Sequence, residues 1–275
     1  MSISVTETHP LTPFLPQQAK LLMLGSFPPP QNKWKMQFYY PNFQNDMWRI
    51  MGICFFNDKN HFLDLANKNF FQQQIEDFLN EKGIAIFDAA CEVIRLKGNA
   101  SDQFLQVVRA TDLSVLLKQI PECHSIMTTG DKATDTLMTN FPKNSVKPQF
   151  NQPSQVDFLN RSLNLYRLPS SSRAYPLALE KKAEIVRYNL QLAEGMHDAM
   201  SGELTRMLVI VQEGIDASKE EELKRWRKLQ NGINRIFQDL HSVMNYLSDD
   251  DHKQDDVFHV SLAEHIQATL SEKIG

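Results

Sequence analysis

Four short apolar runs punctuate the first part of the chain: Leu21 to Leu24 (LLML), Gly83 to Asp88 (GIAIFD), Ser125 to Thr129 (SIMTT) and Leu163 to Leu168 (LNLYRL). All are shorter than a buried helix, as strands covered on both faces of a sheet are. Between them, apolar positions at helical spacing predict helices over Asp46 to Met51, Asn67 to Glu81, Asp112 to Gln119 and Asp131 to Thr139. This alternation predicts an α/β fold on a parallel sheet. Ligands of such sheets sit beyond the carboxyl ends of the strands, where this chain has GSFPPP, DAACE, TTGDKATD and PSSSRAY. The four loops are expected to converge on one cleft.

After residue 198 the pattern changes. Leu204, Leu208, Val211 and Ile215 predict one helix, and Leu223, Trp226, Leu229, Ile233, Ile236, Leu240, Val243 and Leu247 a long amphipathic one behind the capping box Ser218 to Glu221. A second capping box, Ser261 to Glu264, opens a short final helix. The acidic segment 249–256 (DDDHKQDD) lacks the glycine and terminal Glu of a calcium loop and reads as a solvated link. The expected organisation is an α/β domain over 1–198 and an all-helical appendage over 199–275, whose alternatives are a homodimer, a protein partner, or a long helix folded back on its own domain over the Trp226 stripe.

Composition narrows the function classes. At 42% hydrophobic residues the chain can build a core, while no apolar run approaches the ~20 residues of a membrane span. The first residues have neither the basic flank nor the apolar stretch of a secretory signal, so a cytoplasmic protein without a membrane partner is expected. Cys54, Cys91 and Cys123 lie far apart, without CxxC or His-partnered spacing, and are expected to be buried thiols rather than disulfides or zinc ligands. Neither a metal nor an organic cofactor is expected. The net charge of −4 disfavours a whole-surface nucleic-acid binder, but it is uneven: 199–275 holds 9 Lys/Arg against 14 Asp/Glu. A basic stretch, Arg161 to Leu190, carries Arg161, Arg167, Arg173, Lys181, Lys182 and Arg187 against Glu180 and Glu184, enough for local contact with a phosphate backbone.

The first loop carries the most chemistry. After Gly25, three prolines (Pro28 to Pro30) forbid helix and ladder pairing, and Phe38, Tyr39, Tyr40 and Phe43 then surround Asn42, Gln44, Asn45 and Asp46. Aromatic walls with a few placed polar groups suit a heterocycle, although the same residues could simply plug the end of a sheet.

In their order, LLMLGSFPPP…FYYPNFQNDMWRIMG, GIAIFDAACEVIR, SIMTTGDKATDTL and YRLPSSSRAYP resemble four segments of the uracil-DNA glycosylase superfamily, closest to its hypoxanthine-DNA glycosylase-like branch. Gly25, Ser26, Pro28, Tyr39, Tyr40, Asn45 and Trp48 match the branch pattern, and the resemblance spans roughly residues 18 to 195. It implies a three-layer αβα sandwich around a four-stranded parallel sheet, and hydrolysis of the N-glycosidic bond of a flipped deaminated base, uracil or hypoxanthine, with damaged DNA as partner. The resemblance makes Asn45 the residue that positions the attacking water. The alternative for Asn45 is a cap on the helix starting at Asp46. Asp46 is the rival water activator, or a first-turn acid favoured by the helix dipole. The base pocket would comprise Gly25, Ser26 and Phe27, whose N–H groups suit a departing base, with Tyr40, Asp88 and Thr129. Ser170, Ser171, Ser172 and Arg173 would contact DNA phosphates. Two positions depart from the branch: Thr129 stands where relatives often place Asn, and Ser172-Arg173-Ala174-Tyr175 replaces S-P-A-N. A single hydroxyl cannot reproduce an amide's paired donor and acceptor, so base preference does not carry over. The departures keep a catalytically inactive DNA-binding or damage-sensing protein in play, and the helical tail a protein-interaction module.

Overall fold

A computed structural model describes residues 5–97, 101–193, 207, 210–212 and 226–234. The chain divides into two compact units, 1–193 and 194–275.

In the first unit the expected strands form: β2 (Leu21–Gly25), β5 (Ile84–Asp88), β8 (Ser125–Thr129) and β10 (Arg161–Leu168) lie parallel in one sheet. Three of them, β2, β5 and β8, are buried at every position, which is why they read as unbroken apolar runs rather than alternating ones. The four-stranded expectation needs correction. A fifth strand, β9 (Ser154–Phe158), pairs antiparallel with β10, giving the order β5-β2-β8-β10-β9. SQVDF escapes an apolar-run search because it is an edge strand whose burial alternates between partial and none. It turns into β10 through Leu159 and Asn160, both in the left-handed region.

The segment after β5, expected as a loop, is also corrected. Ala90–Arg95 is a strand, β6, and it forms a second, antiparallel sheet between β1 (Thr6–Thr8) and β7 (Leu105–Ala110). Leu63–Asp64 (β3) and Asn69–Phe70 (β4) make a small ladder. They take up part of the span read as helix from Asn67, so α2 begins only at Gln72 (Gln72–Lys82) and ends on Gly83, whose φ of 62° suits glycine. The other helices are α1 (Met47–Phe56), α3 (Leu113–Gln119), α4 (Asp131–Met138) and α5 (Leu179–Ala193).

Helix α2 packs on β5, α4 on β8, and α5 on both β10 and α1. From β2 the chain crosses to β5 on one side, then returns past β2 to β8 on the other. Right-handed crossovers therefore put α2 and α3 on opposite faces, and the reversal opens a crevice beyond the carboxyl ends of β2 and β8. Buried around the sheet are Leu22, Met23, Ile86, Met127 and Leu165, with Trp48, Met51, Phe62 and Leu79 beneath the helices. Cys123 is buried while Cys54 and Cys91 are only half-buried, a partial departure from the expectation; burial pushes the Cys54 and Cys123 thiols up to about 11, so both stay protonated near neutrality.

Of the second unit, 226–234 is helical, as are 207 and 210–212, and Gln230 Nε2 donates to Gln212 Oε1 at 3.0 Å. Both capping boxes and the acidic link lie outside the described residues. Among the described residues no helix is long and apolar enough to cross a membrane, and no group of three His, Cys, Asp or Glu side chains is placed to hold a metal ion.

Candidate active site

The crevice holds a cavity of about 210 Å³, and all four predicted loops reach it. Gly25, Ser26 and Phe27 come from the end of β2, Asp88 from the end of β5, Thr129 from the end of β8, and Ser170 to Arg173 from the loop after β10; Tyr40 and Asn45 complete the predicted set. Asp46 is the one predicted site residue that does not line it.

Gly25 is needed for close approach. A Cβ there would collide with Asp88 Oδ1 and crowd the Tyr40 hydroxyl. Ser26 and Phe27 follow the last register pair, Gly25↔Asp88, so their N–H groups belong to the loop rather than to the ladder with β5. Phe27 packs in a small cluster on Ala90, Val93 and Leu105, which ties the pocket wall to the second sheet.

Tyr40 has φ of 50°, left-handed backbone that a bulky residue enters only under outside constraint. Its hydroxyl lies 2.8 Å from Thr129 Oγ1, and its ring meets Trp48 edge-on at 6.3 Å. Burial, reinforced by the charge on Asp88, pushes its phenol far above the ordinary range, so the ring stays neutral. Thr129, the departure from the family pattern, is thus engaged with the pocket's aromatic.

Two half-buried groups were not found from the sequence. His9 Nε2 lies 3.0 Å from Asp88 Oδ2, and His9 Nδ1 lies 3.0 Å from the Leu11 carbonyl and 3.2 Å from the Leu11 N–H. The His9 ring packs against Phe87 at 4.5 Å and Phe27 at 5.2 Å. Asp102 also lines the cavity and accepts from Ser26 Oγ at 2.6 Å. Burial raises the Asp102 carboxyl above the usual carboxylate range, and Asp88 adds to the rise while Ser26 opposes it. Seventy-six residues separate Asp102 from Ser26 and 79 separate His9 from Asp88. No periodicity marks either one.

Asn45 and Asp46 sit where the first loop meets the last. Asn45 forms an isolated antiparallel bridge with Ser172, and Asp46 N–H donates to Ser171 carbonyl at 2.9 Å. The N-cap of α1 is Asp46, not Asn45, and its side chain makes no cap bond; the Asn45 Oδ1 instead accepts from Met47 N–H, the first of the helix, at 2.9 Å. An amide oxygen has two lone pairs, so this bond occupies one and orients the amide without exhausting it. The Asp46 carboxylate is held among cations: Arg173 Nε and Nη2 at 3.2 and 3.1 Å, Lys182 Nζ at 3.6 Å and Arg49 Nη1 at 3.8 Å. In the serine loop, Ser170 Oγ accepts from Ser172 N–H and Ser172 Oγ from Ala174 N–H, both at 3.3 Å.

No family model and no curated protein matches the sequence. Among solved structures the chain is similar to a protein from Methanosarcina acetivorans described as a "putative Uracil DNA glycosylase", with 21% identity and a TM-score of 0.45 over 68% of this chain and 99% of that one. A likeness at that level carries nothing over to this chain.

Proposed function

We propose that the chain is a monofunctional DNA glycosylase of the uracil-DNA glycosylase kind, acting on a deaminated base without a metal or organic cofactor. The observation that carries this reading is the convergence of all four motif loops on one cavity at the switch point of the sheet. At about 210 Å³ it is smaller than the ~300–1,000 Å³ of drug-sized sites, which suits a single ring. Helices against both faces of the sheet agree with the three-layer arrangement that the motifs imply.

In this reading a flipped base enters beside Tyr40, with the Ser26 and Phe27 N–H groups donating to charge that develops on the departing ring. Asn45, oriented by its bond to Met47, places the attacking water at the sugar carbon. Asp46 holds Arg173 rather than activating water, because its carboxylate is committed to three cations and lies outside the base cavity. Ser170 to Ser172 and Arg173 contact the strand. Which branch of the superfamily and which base belong to this same proposal. Asp88 and Asp102 are acceptors when ionised, so they favour a ring edge that presents N–H donors.

One observation favours the second reading, a non-catalytic damage binder: Asn45 Oδ1 already serves the helix, and the neighbouring carboxylate is neutralised. Duplex and single-stranded oligonucleotides carrying uracil, hypoxanthine or xanthine, incubated with the protein and then cleaved by alkali, separate the two. Strand scission at one of these bases is the expected result. Salt-sensitive binding without an abasic product from any of them leaves the binder.

A further inference from the structure

Next to the base cavity lies a second one, of about 340 Å³, and the two share Arg173 as a lining residue. Four cationic side chains line it, Arg49, Lys59, Arg173 and Lys182, against one carboxylate, Asp46. Three of the cations are drawn to that carboxylate at 3.1 to 3.8 Å, so a single negative charge is divided among them. Lys182 is almost wholly buried, at 1% side-chain exposure, and Arg49 nearly so at 11%. Burying a surplus of like charge is costly unless an anion enters. The strain registers at Arg49, whose guanidinium is pulled down first by desolvation and then by the charge of Arg173, more than Asp46 restores. Arg49 and Lys182 are also held rigidly: Arg49 Nη1 donates to the carbonyls of Phe43 and Asn45 at 3.0 and 3.1 Å, and Lys182 Nζ to that of Ser172 at 2.8 Å. Lys59, by contrast, is exposed, and no hydrogen bond or ion pair engages its ammonium among the described residues.

We infer that this second cavity is a phosphate site, and that its occupant is a backbone phosphate of the strand whose base occupies the neighbouring cavity. The assignment to a strand rests on the glycosylase reading; the affinity for a phosphate rests on the cavity alone. Arg49 and Lys182 supply preset positive charge, while Arg173 and Lys59 bring the donors that close on the oxygens. Because Arg173 lines both cavities, the phosphate would sit one step along the chain from the flipped base. Asp46 then keeps Arg173 in place and prevents four cations from facing one another without a counter-charge.

Lys59 provides the test, since it supports no other part of the structure. Binding of a short undamaged duplex is measured by fluorescence anisotropy across a salt series for the wild type, Lys59→Gln and Lys59→Glu. In parallel, inorganic phosphate is titrated into wild type and Lys59→Glu while the backbone amide signals of Asn60 and Arg173 are followed by NMR. The expected result is several-fold weaker duplex binding for the variants, a slope of log affinity against log salt shallower by about one, and phosphate-induced shifts in the wild type that fade in Lys59→Glu. Wild-type slopes in both variants overturn the strand assignment, and if phosphate still shifts the wild-type amides the cavity belongs to a free phosphate. Amide signals that ignore phosphate overturn the site altogether. The duplex contains no damaged base, so each result reads the same whether or not the protein excises one.

Discussion

Gly25 shows how little tolerance the pocket has at the level of one residue. The Asp88 carboxylate occupies the space a side chain would need, and Asp88 is itself held by His9. Gly25→Ala is expected to cost about 1–3 kcal/mol in a denaturant titration and to remove base binding, since either Asp88 or the strand end must move. Asn45 joins an observed bond to a proposed role in one side chain. On the proposed function, Asn45→Ala should cost about 1 kcal/mol from the lost bond to Met47 N–H and abolish excision, whereas Asn45→Asp keeps that bond and tests the amide alone. Stability by denaturation and single-turnover cleavage report the two effects independently. Asp102 supplies a pH dependence of known sign. An acid whose folded pKa is raised binds more protons folded than unfolded, so its contribution to stability is full below the ordinary carboxylate range of about 4 and declines as pH rises through the folded value. Asp102→Asn should flatten that decline, seen as denaturation midpoints that converge with the wild type at low pH and exceed it near neutrality.

Among elements, Lys182 does the work of a fastener. It projects from α5 to the Ser172 carbonyl and to Asp46 at the start of α1, joining two helices and the serine loop at one buried ammonium. Lys182→Met keeps the volume and leaves Asp46 with Arg173 and Arg49, but it takes the donor from the Ser172 carbonyl and should destabilise by about 1–3 kcal/mol in a thermal or denaturant melt. The sequence shows which elements are legible and why. The strands β2, β5 and β8 are apolar throughout because both faces are covered, and α3 and α4 carry a clean helical spacing, so each was placed to within a residue or two. Strand β9 is hard to read because its partial burial alternates over five residues, and β6 and β7 because they bury only two and one of their six positions, which leaves no apolar run. In the pocket, Gly25, Tyr40, Asp88 and Thr129 follow strand ends or a marked loop and were legible. His9 and Asp102 enter from segments with no pattern, and only the fold brings them in. Asn45 and Asp46, the two candidates for placing the water, are adjacent in sequence but parted in space: Asn45 lines one cavity and Asp46 the next.

For the molecule as a whole, the described residues of the sheet's buried core lie between Ala19 and Ala193, and the described residues that line the two cavities belong to the first unit. A chain ending at Ala193 is therefore expected to unfold cooperatively and to retain any duplex binding of the full chain, measured by calorimetry and anisotropy. If removal of 194–275 changes the oligomeric state in sedimentation while leaving those two readings intact, the second unit is an association element. A different consequence follows from the bridge between Asn45 and Ser172, where Asp46 and Arg173 are 127 positions apart. Closing so long a loop earns no contact until β10 and the residues after it exist, and Lys182 comes later still. During synthesis, a ribosome that has delivered the whole first loop has delivered none of the serine-loop residues that Asn45 and Asp46 engage. Chains arrested before the serine loop emerges would carry three of the four motif loops and still lack a closed site, so activity should appear abruptly with the last stretch of the first unit and not in proportion to length.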